Sequence, residues 1–329
     1  MSFRALVVDK DGDNVSVELK TLEESELMPG EVTIKVEWSS VNYKDGLAST
    51  ASGRVVQSYP MVPGIDLAGA VLASDDSRFE PGQAVVAIGY DIGVAHFGGF
   101  AEVARVPADW VAAVPDGLTT KEAMALGTAG FTAAQSIDAL ERFGLKSGNG
   151  PVIVTGATGG VGSTAVSMFA GLGHEVEAST GKADEHDYLR LLGASQVLGR
   201  DEVSQEKNRP LDRERWAGAI DPVGGNTTAT LLPRMKPGSS IALSGLTGGV
   251  GFTTTVMPFI LRGVNLVGID SVWLEMPDRV RIWRRCATDL KPAILLDTIA
   301  HEVALEDVPL LLGEILKGKA RGRALVRLS

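Results

Sequence analysis

Cysteine is almost missing from this chain: Cys286 is the one such residue in 329. A single thiol excludes an intrachain disulfide and a cysteine-rich metal lobe, and it suits a reducing compartment. Histidine is scarce as well. His96, His174, His186 and His301 show no close ligand spacing, so a His/Cys zinc site is not indicated. Positive charge is in deficit, with 31 Lys and Arg against 41 Asp and Glu and a formal net charge of −10. That balance argues against non-specific nucleic-acid binding and against attraction to anionic membranes, while leaving room for a local basic pocket. No apolar stretch approaches the roughly 20 residues of a membrane span. The opening Met1-Ser-Phe-Arg-Ala-Leu-Val-Val-Asp9 lacks the long apolar core of a signal peptide. The expected location is the cytoplasm.

What is present reads as a globular protein of two domains, since the length exceeds what one core usually fills. Up to about residue 122 the pattern is mainly β. Short apolar runs at 4–8, 15–19, 32–39, 69–73, 84–88 and 101–106 are separated by turn signals such as Asp11-Gly12, Pro29-Gly30 and Pro81-Gly82. They predict a partly open β-barrel. From about Thr119 the pattern changes. Helices are expected over 120–126 and 131–142, followed by alternating strands (152–155, 175–179, 196–198, 216–221, 240–244, 265–270) and helices (163–171, 185–192, 227–235). This alternation predicts a parallel, doubly wound sheet, an α/β domain. Helices near 277–290 and 305–317 and a final strand at 323–327 complete the chain, and that strand is expected to return to the first domain.

The segment Pro151-Val-Ile-Val-Thr-Gly-Ala-Thr-Gly-Gly-Val-Gly-Ser-Thr-Ala-Val-Ser-Met-Phe-Ala-Gly-Leu-Gly173 is the strongest motif. A β-branched strand turns on Gly156, Gly159, Gly160 and Gly162 and opens a helix. Backbone N–H groups and the helix dipole at such a turn hold a pyrophosphate. Thr158, Gly159, Gly160, Val161 and Gly162 are the expected contacts.

The motifs Ser40-Val-Asn-Tyr-Lys-Asp45, Pro63-Gly-Ile-Asp-Leu-Ala-Gly69, Gly98-Gly-Phe-Ala-Glu102, Gly127-Thr-Ala-Gly-Phe-Thr-Ala133, the glycine turn and Asp221-Pro-Val-Gly-Gly225 occur in this order. Together they resemble the medium-chain dehydrogenase/reductase superfamily. Trp216-Ala-Gly-Ala-Ile-Asp221, Thr255-Val-Met-Pro-Phe-Ile-Leu-Arg262 and Gly268-Ile-Asp-Ser271 are similar to its zinc-independent acryloyl-CoA reductase and quinone-oxidoreductase-like branch. The resemblance implies a GroES-like catalytic domain over 1–122, completed by 294–329, and a Rossmann domain over 123–293. It implies NADPH-dependent reduction of an activated carbon–carbon double bond, with acryloyl-CoA as the leading acyl thioester. Two alternatives are a quinone or enone reductase of the same fold and an NADPH-binding redox sensor with incidental activity.

Zinc-bearing relatives use a cysteine where this chain has Asn42, and a histidine followed by glutamate where it has Ile65 and Asp66. Isoleucine has no donor atom, so no metal is expected, and Asp66 reads as a structural carboxylate. The second strand of the sheet ends in Ala178-Ser-Thr-Gly-Lys182. Two hydroxyls, a glycine and a lysine suit a ribose 2′-phosphate, whereas an acid there would suit a diol. Thr180, Gly181 and Lys182, with Arg200 as the branch's second clamp, therefore indicate NADPH. Glu175 and Glu177 run against this and are read as edge or partner-facing positions.

Hydride transfer to an unsaturated thioester leaves an enolate, which calls for donors at the thioester oxygen and a proton for the α-carbon. The resemblance points to Asn42 and Tyr43 as the catalytic pair, with Tyr43 also orienting the nicotinamide. Lys44 and Asp45 read as a supporting pair at a helix start. Thr128, Leu246, Ile269, Ser271 and Arg323 are further implied cofactor contacts, Thr128 with helix capping as its alternative. Arg262, Arg284, Arg285 and Lys319 are candidates for CoA phosphates. The strand 265–270 lies where relatives pair sheets, so a homodimer is expected.

Overall fold

The computed structural model describes residues 1–12, 14–206 and 209–329. Along the chain run β1 (Ser2–Asp11), β2 (Asn14–Glu23), β3 (Val32–Ser40), α1 (Tyr43–Ala48), β4 (Asp66–Ser74), β5 (Ala84–Ile88), β6 (Val103–Val106), β7 (Val111–Ala113) and α2 (Thr120–Arg142). Then come β8 (Val152–Val154), α3 (Gly160–Gly171), β9 (Val176–Thr180), α4 (His186–Leu191), β10 (Gln196–Gly199), α5 (Arg200–Val203), β11 (Trp216–Asp221), α6 (Asn226–Leu231) and β12 (Met235–Leu243). The remainder is α7 (Met257–Arg262), β13 (Asn265–Gly268), α8 (Met276–Cys286), β14 (Ala300–Ala304), α9 (Val308–Leu316) and β15 (Arg323–Arg327). Two compact units result: Met1–Thr128 with Val272–Ala287 and Leu295–Ser329, and Ala129–Ser271 with Thr288–Ile294.

The first unit is built on β3. One edge of β3 pairs antiparallel with β4. The other edge is shared, its first half by β6 and its last three residues by β15. The sheet path runs β14-β15-β3-β4-β5-β7, and β1 and β2 form a separate antiparallel pair. Leu6, Ile34, Val36, Leu67, Phe100 and Val326 share one buried core. Each such side chain contributes about 1.5–3 kcal/mol on burial. Short or weakly apolar elements escape sequence patterning: β7 has three residues, and β14 carries His301 and Glu302 exposed on a strand that, among the described residues, pairs only with β15.

Residues 272–287 group with this unit and not with the central domain of the sequence-based boundary. The reason is Arg279, 1% exposed. Its Nη1 donates to the Ile88 carbonyl at 3.1 Å and its Nη2 to that of Val272 at 3.0 Å, with the guanidinium 4.6 Å from the Tyr90 ring centre.

The second unit holds a six-stranded sheet in the order β10-β9-β8-β11-β12-β13. Every pair in it is parallel. Renumbered within the unit this is 3-2-1-4-5-6, the doubly wound order whose reversal point, between β8 and β11, receives ligands at the carboxyl ends of the strands. β8 and β11 are buried along their whole length, as helix-covered parallel strands are. Ile153, Trp216, Leu231 and Ile241 centre the core. Among the described residues no helix is long and apolar enough to cross a membrane.

Candidate active site

In the first unit, β3 ends at Ser39-Ser40, α1 begins at Tyr43, β4 begins at Asp66, and α2 is interrupted at Gly127. These ends converge on one carboxylate. Asp66, with no exposed surface, accepts from Ser40 Oγ at 2.5 Å, Asn42 Nδ2 at 2.8 Å, the Thr128 amide at 2.9 Å and Arg323 Nη2 at 3.4 Å, and also from the Thr128 hydroxyl. Arg323 is itself buried. Its Nη2 donates to Ser40 Oγ at 2.6 Å, its Nη1 to Asn42 Oδ1 at 3.1 Å and the Val41 carbonyl at 3.2 Å, and its Nε to the Ala125 carbonyl at 3.3 Å. A buried charge pair is tolerable only when its remaining hydrogen-bonding capacity is also met, and here it is.

Gly127 makes this approach possible. Its φ of +53° is in the left-handed region, and a Cβ there would lie 2.4 Å from both Arg323 Nη2 and Asp66 Oδ2. The helix break that the sequence implied between 126 and 131 thus has a cause: the backbone must pass against the ion pair.

This geometry corrects one sequence expectation and refines two others. Arg323 has every guanidinium nitrogen on a protein oxygen, so it is a structural cation and not a cofactor contact. Thr128 has both its amide and its hydroxyl donating to Asp66, which ties it to the carboxylate cluster. Asn42 is 7% exposed, with its amide split between Asp66, the Ser40 carbonyl and Arg323. It is held rigidly and holds its neighbour. That neighbour, Tyr43, is 38% exposed at the first residue of α1, and its hydroxyl has no hydrogen-bond partner among the described residues.

Lys44 and Asp45 are not a pair. Asp45 is fully buried and accepts from the Asn42 amide at 2.8 Å and the Ile65 amide at 3.0 Å. Burial and the Asp66 carboxylate push its pKa up to about 7. Asp45, Ser40 and Gly127 were missed as members of the site. Ser40 and Asp45 flank Asn42 and Tyr43 in the same motif, which was the available signal.

In the second unit the glycine turn follows β8. Gly156 has φ +53°, and a Cβ on Gly162 would sit 2.4 Å from the Gly156 carbonyl oxygen. The turn therefore closes only with glycine at both places, leaving the start of α3 at Gly160 open to a pyrophosphate. Thr158, Gly159, Gly160, Val161 and Gly162 lie on this turn. Thr158 Oγ1 is 3.4 Å from Thr180 Oγ1 at the end of β9, and Thr180 Oγ1 accepts from the Lys182 amide at 3.1 Å. Arg200, at the start of α5, lies against Gly181, where a Cβ would be 2.6 Å from its Nη2. Its guanidinium meets no carboxylate among the described residues. The structure thus gathers Thr158, Thr180, Gly181, Lys182 and Arg200 at neighbouring strand ends, a donor set that fits a dinucleotide bearing a 2′-phosphate.

Leu246 is 57% exposed in the loop after β12. The Ile269 amide donates to the Leu243 carbonyl at 3.0 Å. Ser271 Oγ accepts from Thr132 Oγ1 at 2.8 Å. All three follow the carboxyl ends of β12 and β13, the ligand-binding edge of a parallel sheet. Asp221, at the end of β11, accepts from the Thr155 and Thr228 hydroxyls, both at 2.6 Å, and from the Val223 and Gly224 amides, so it locks the edge from beneath.

Glu177 needs correction. It is neither at an edge nor partner-facing, because β9 lies between β8 and β10. It accepts from Trp216 Nε1 at 2.7 Å and pairs with Arg215 at 2.8 Å. Two of the suggested CoA-phosphate residues are also committed elsewhere. Arg262 donates to the Pro233, Met235 and Asp212 carbonyls, and Lys319 pairs with Glu314. Among the described residues no group of three or more His, Cys, Asp or Glu could hold a metal ion.

Residues 28–116 match the alcohol dehydrogenase GroES-like domain. Acrylyl-CoA reductase of Ruegeria pomeroyi is 50% identical over 326 residues, 98% of each chain. YhfP of Bacillus subtilis, which carries a provisional quinone-oxidoreductase name, is 49% identical over 326 residues, 99% of each chain. Its crystal structure with NAD bound matches this fold with a TM-score of 0.98, covering 100% of both chains. The yhdH oxidoreductase of Salmonella enterica, crystallised with NADP, is 45% identical with a TM-score of 0.96, over 99% of this chain and 100% of that one.

Proposed function

Given that the chain belongs to the medium-chain dehydrogenase/reductase superfamily, in its acrylyl-CoA reductase and quinone-oxidoreductase-like branch, we propose that it reduces the carbon–carbon double bond of acryloyl-CoA to give propionyl-CoA, using NADPH. When bound, the nicotinamide would supply a hydride to the β-carbon, and the resulting enolate takes up a proton at the α-carbon. The chain's own residues bind and orient the reactants. The glycine turn holds the pyrophosphate, and Thr180, Lys182 and Arg200 hold the 2′-phosphate. Leu246, Ile269 and Ser271 line the nicotinamide. Tyr43 donates to the thioester oxygen as enolate charge develops there. Asn42, clamped by Asp66 and Arg323, fixes the backbone from which Tyr43 projects.

One observation carries the reading: Tyr43 has a partner-free hydroxyl next to a residue whose every polar group is engaged. A rigid anchor beside an available donor is what oxyanion stabilisation needs. Ile65 offers no ligand atom and the Asn42 amide is committed, so the residues at the positions of the zinc ligands fit proton and hydrogen-bond chemistry. The identity to acrylyl-CoA reductase, running the full length of both chains, supports the thioester substrate.

The test is NADPH oxidation with acryloyl-CoA, crotonyl-CoA and a simple quinone. Clear preference for acryloyl-CoA is expected, and equal rates with the quinone would overturn the assignment. The second reading, a quinone or enone reductase, draws support from the name of the Bacillus relative. We also assign the protein to the cytoplasm, in keeping with its single buried cysteine, and propose a homodimer paired through β13, the terminal strand of its sheet. Light scattering of the purified protein should give twice the chain mass, and a monomer would rule the pairing out.

A further inference from the structure

We propose that Asp45 is a positioning residue for the reduction: its carboxylate clamps the first turn of α1 to the start of β4, and Tyr43 reaches the substrate only while that clamp is closed. The assignment rests on the reading of Tyr43 as the donor to the thioester oxygen and adds what holds the donor in place. Asp45 lies two residues past Tyr43 on α1 and is fully buried. One of its carboxylate oxygens accepts from the Asn42 amide at 2.8 Å and the other from the Ile65 amide at 3.0 Å. Asn42 immediately precedes Tyr43, and Ile65 immediately precedes Asp66. The Asp45 amide donates back to the Asn42 carbonyl at 3.0 Å, and the Ile65 carbonyl accepts from the Gly89 amide at 3.3 Å. A single side chain therefore joins the turn that carries Tyr43 to the entry of β4, and Ile65 carries that tie on to the end of β5.

The other side of α1 is closed as well. A Cβ on Gly46 would stand 2.9 Å from the Ile315 side chain and 3.0 Å from both the Leu312 carbonyl and the Leu316 side chain on α9. The helix is thus held between α9 and the clamp, so loosening the clamp frees the turn that bears Tyr43. Using both oxygens at once calls for the ionised carboxylate. A protonated carboxyl keeps one strong acceptor and gains a hydroxyl, and neither amide can accept a proton from it. That charge is held against opposition. Burial first, and then the Asp66 carboxylate on β4, push the Asp45 pKa up to about 7. Arg323 on β15 is the cation that faces it, and α9 brings Leu312, Ile315 and Leu316 to the adjoining Gly46. An asparagine or a serine serves a helix start without a buried charge. An acid kept where ionisation is disfavoured, two residues from an exposed tyrosine, points to function.

The experiment is a double-mutant cycle of Asp45→Asn and Tyr43→Phe, followed as kcat and KM for acryloyl-CoA from about pH 6 to pH 8. Asparagine keeps the volume but turns an N–H donor toward one of the two amides. Asp45→Asn should lower kcat about tenfold while KM and NADPH affinity stay within about twofold. In the Tyr43→Phe background it should change kcat little further, because no hydroxyl is left to place. Wild-type kcat should rise with pH through about 7, and Asp45→Asn should flatten that rise. Additive losses or an unaltered pH profile would overturn the role, since a residue that only supports the fold gives both. A second measurement needs neither turnover nor a variant. In the wild-type protein the backbone ¹⁵N–¹H resonances of Asn42 and Ile65 should titrate together near pH 7, and the Tyr43 ring resonances should follow with the same midpoint. That common titration in an enzyme that ignores acryloyl-CoA would retire the substrate reading and keep the clamp. A Tyr43 ring that does not follow would overturn the clamp's hold on it.

Discussion

Asp66 and Arg323 stand 257 residues apart in the chain and meet at 3.4 Å, with 0% and 2% of their side chains exposed. Breaking a buried pair by removing one partner leaves an uncompensated charge and costs about 3–5 kcal/mol. Arg323→Met is accordingly expected to lower the denaturant midpoint by several kcal/mol equivalents. Adding Asp66→Asn should recover part of that loss, which a double-mutant cycle in urea would measure. Strictly additive losses would mean that the two charges do not depend on each other.

Gly127→Ala places a methyl group where Asp66, Arg323 and Ser40 already crowd, at a backbone angle that alanine disfavours. Overpacking costs about 1–3 kcal/mol, and the left-handed angle adds about 1 kcal/mol. Differential scanning calorimetry should show a clear drop in Tm. A Tm within a degree of wild type would contradict the crowding.

Tyr43→Phe removes the free hydroxyl and keeps the ring. The expected result is a fall in kcat of about tenfold or more, read by stopped-flow NADPH oxidation, with the protein folded as before. Unchanged turnover together with unchanged NADPH affinity would remove Tyr43 from the chemistry.

Lys182→Ala and Arg200→Ala should each raise KM for NADPH about tenfold while altering KM for NADH little, because only the former carries the 2′-phosphate these cations address. The ratio of the two constants is the measurement. A parallel rise for both cofactors would assign the residues to general structure.

Asp45 gives a pH dependence with a definite sign. Its folded pKa, about 7, lies well above the ordinary aspartate value of 3.8. Between those values the folded state keeps a proton that the unfolded state has lost. Asp45 therefore favours folding below about pH 4 relative to higher pH. Its contribution falls as pH rises toward 7, by at most about 1.4 kcal/mol per pH unit, and is level above that. Asp45→Asn should thus gain stability relative to wild type between pH 5 and pH 8, measured as paired urea midpoints. A constant difference across that range would show that Asp45 does not titrate there.

How far the sequence could be read follows from how local each cause is. The glycine turn was legible because its demands act within seven residues: φ at Gly156 and the close approach at Gly162. Thr180, Lys182 and Arg200 could be singled out in the sequence because they stand at strand ends, the edge where a parallel sheet takes its ligands. Glu177 was misread because strand order is a property of the finished sheet. An acid on an interior strand can be satisfied by a tryptophan and an arginine from the strand region 39 residues on. Arg323 was misread because arginine is rarely buried, and nothing near it in sequence announces the carboxylate that takes it inside. Tyr43 was found by motif, but the reason for its availability, the closed network behind it, needed four separate chain segments.

The placement of β15 between β14 and β3 has a consequence for biosynthesis. A chain emerging from the ribosome can finish all six strands of the parallel sheet by Gly268, while Asp66 has been waiting since early in translation for β15. The unit that begins first closes after that sheet, and a message truncated before β15 would strand the carboxylate without its guanidinium. Translation order thus favours early folding of the parallel sheet and makes synthesis of β15 a condition for Tyr43 to be held in place.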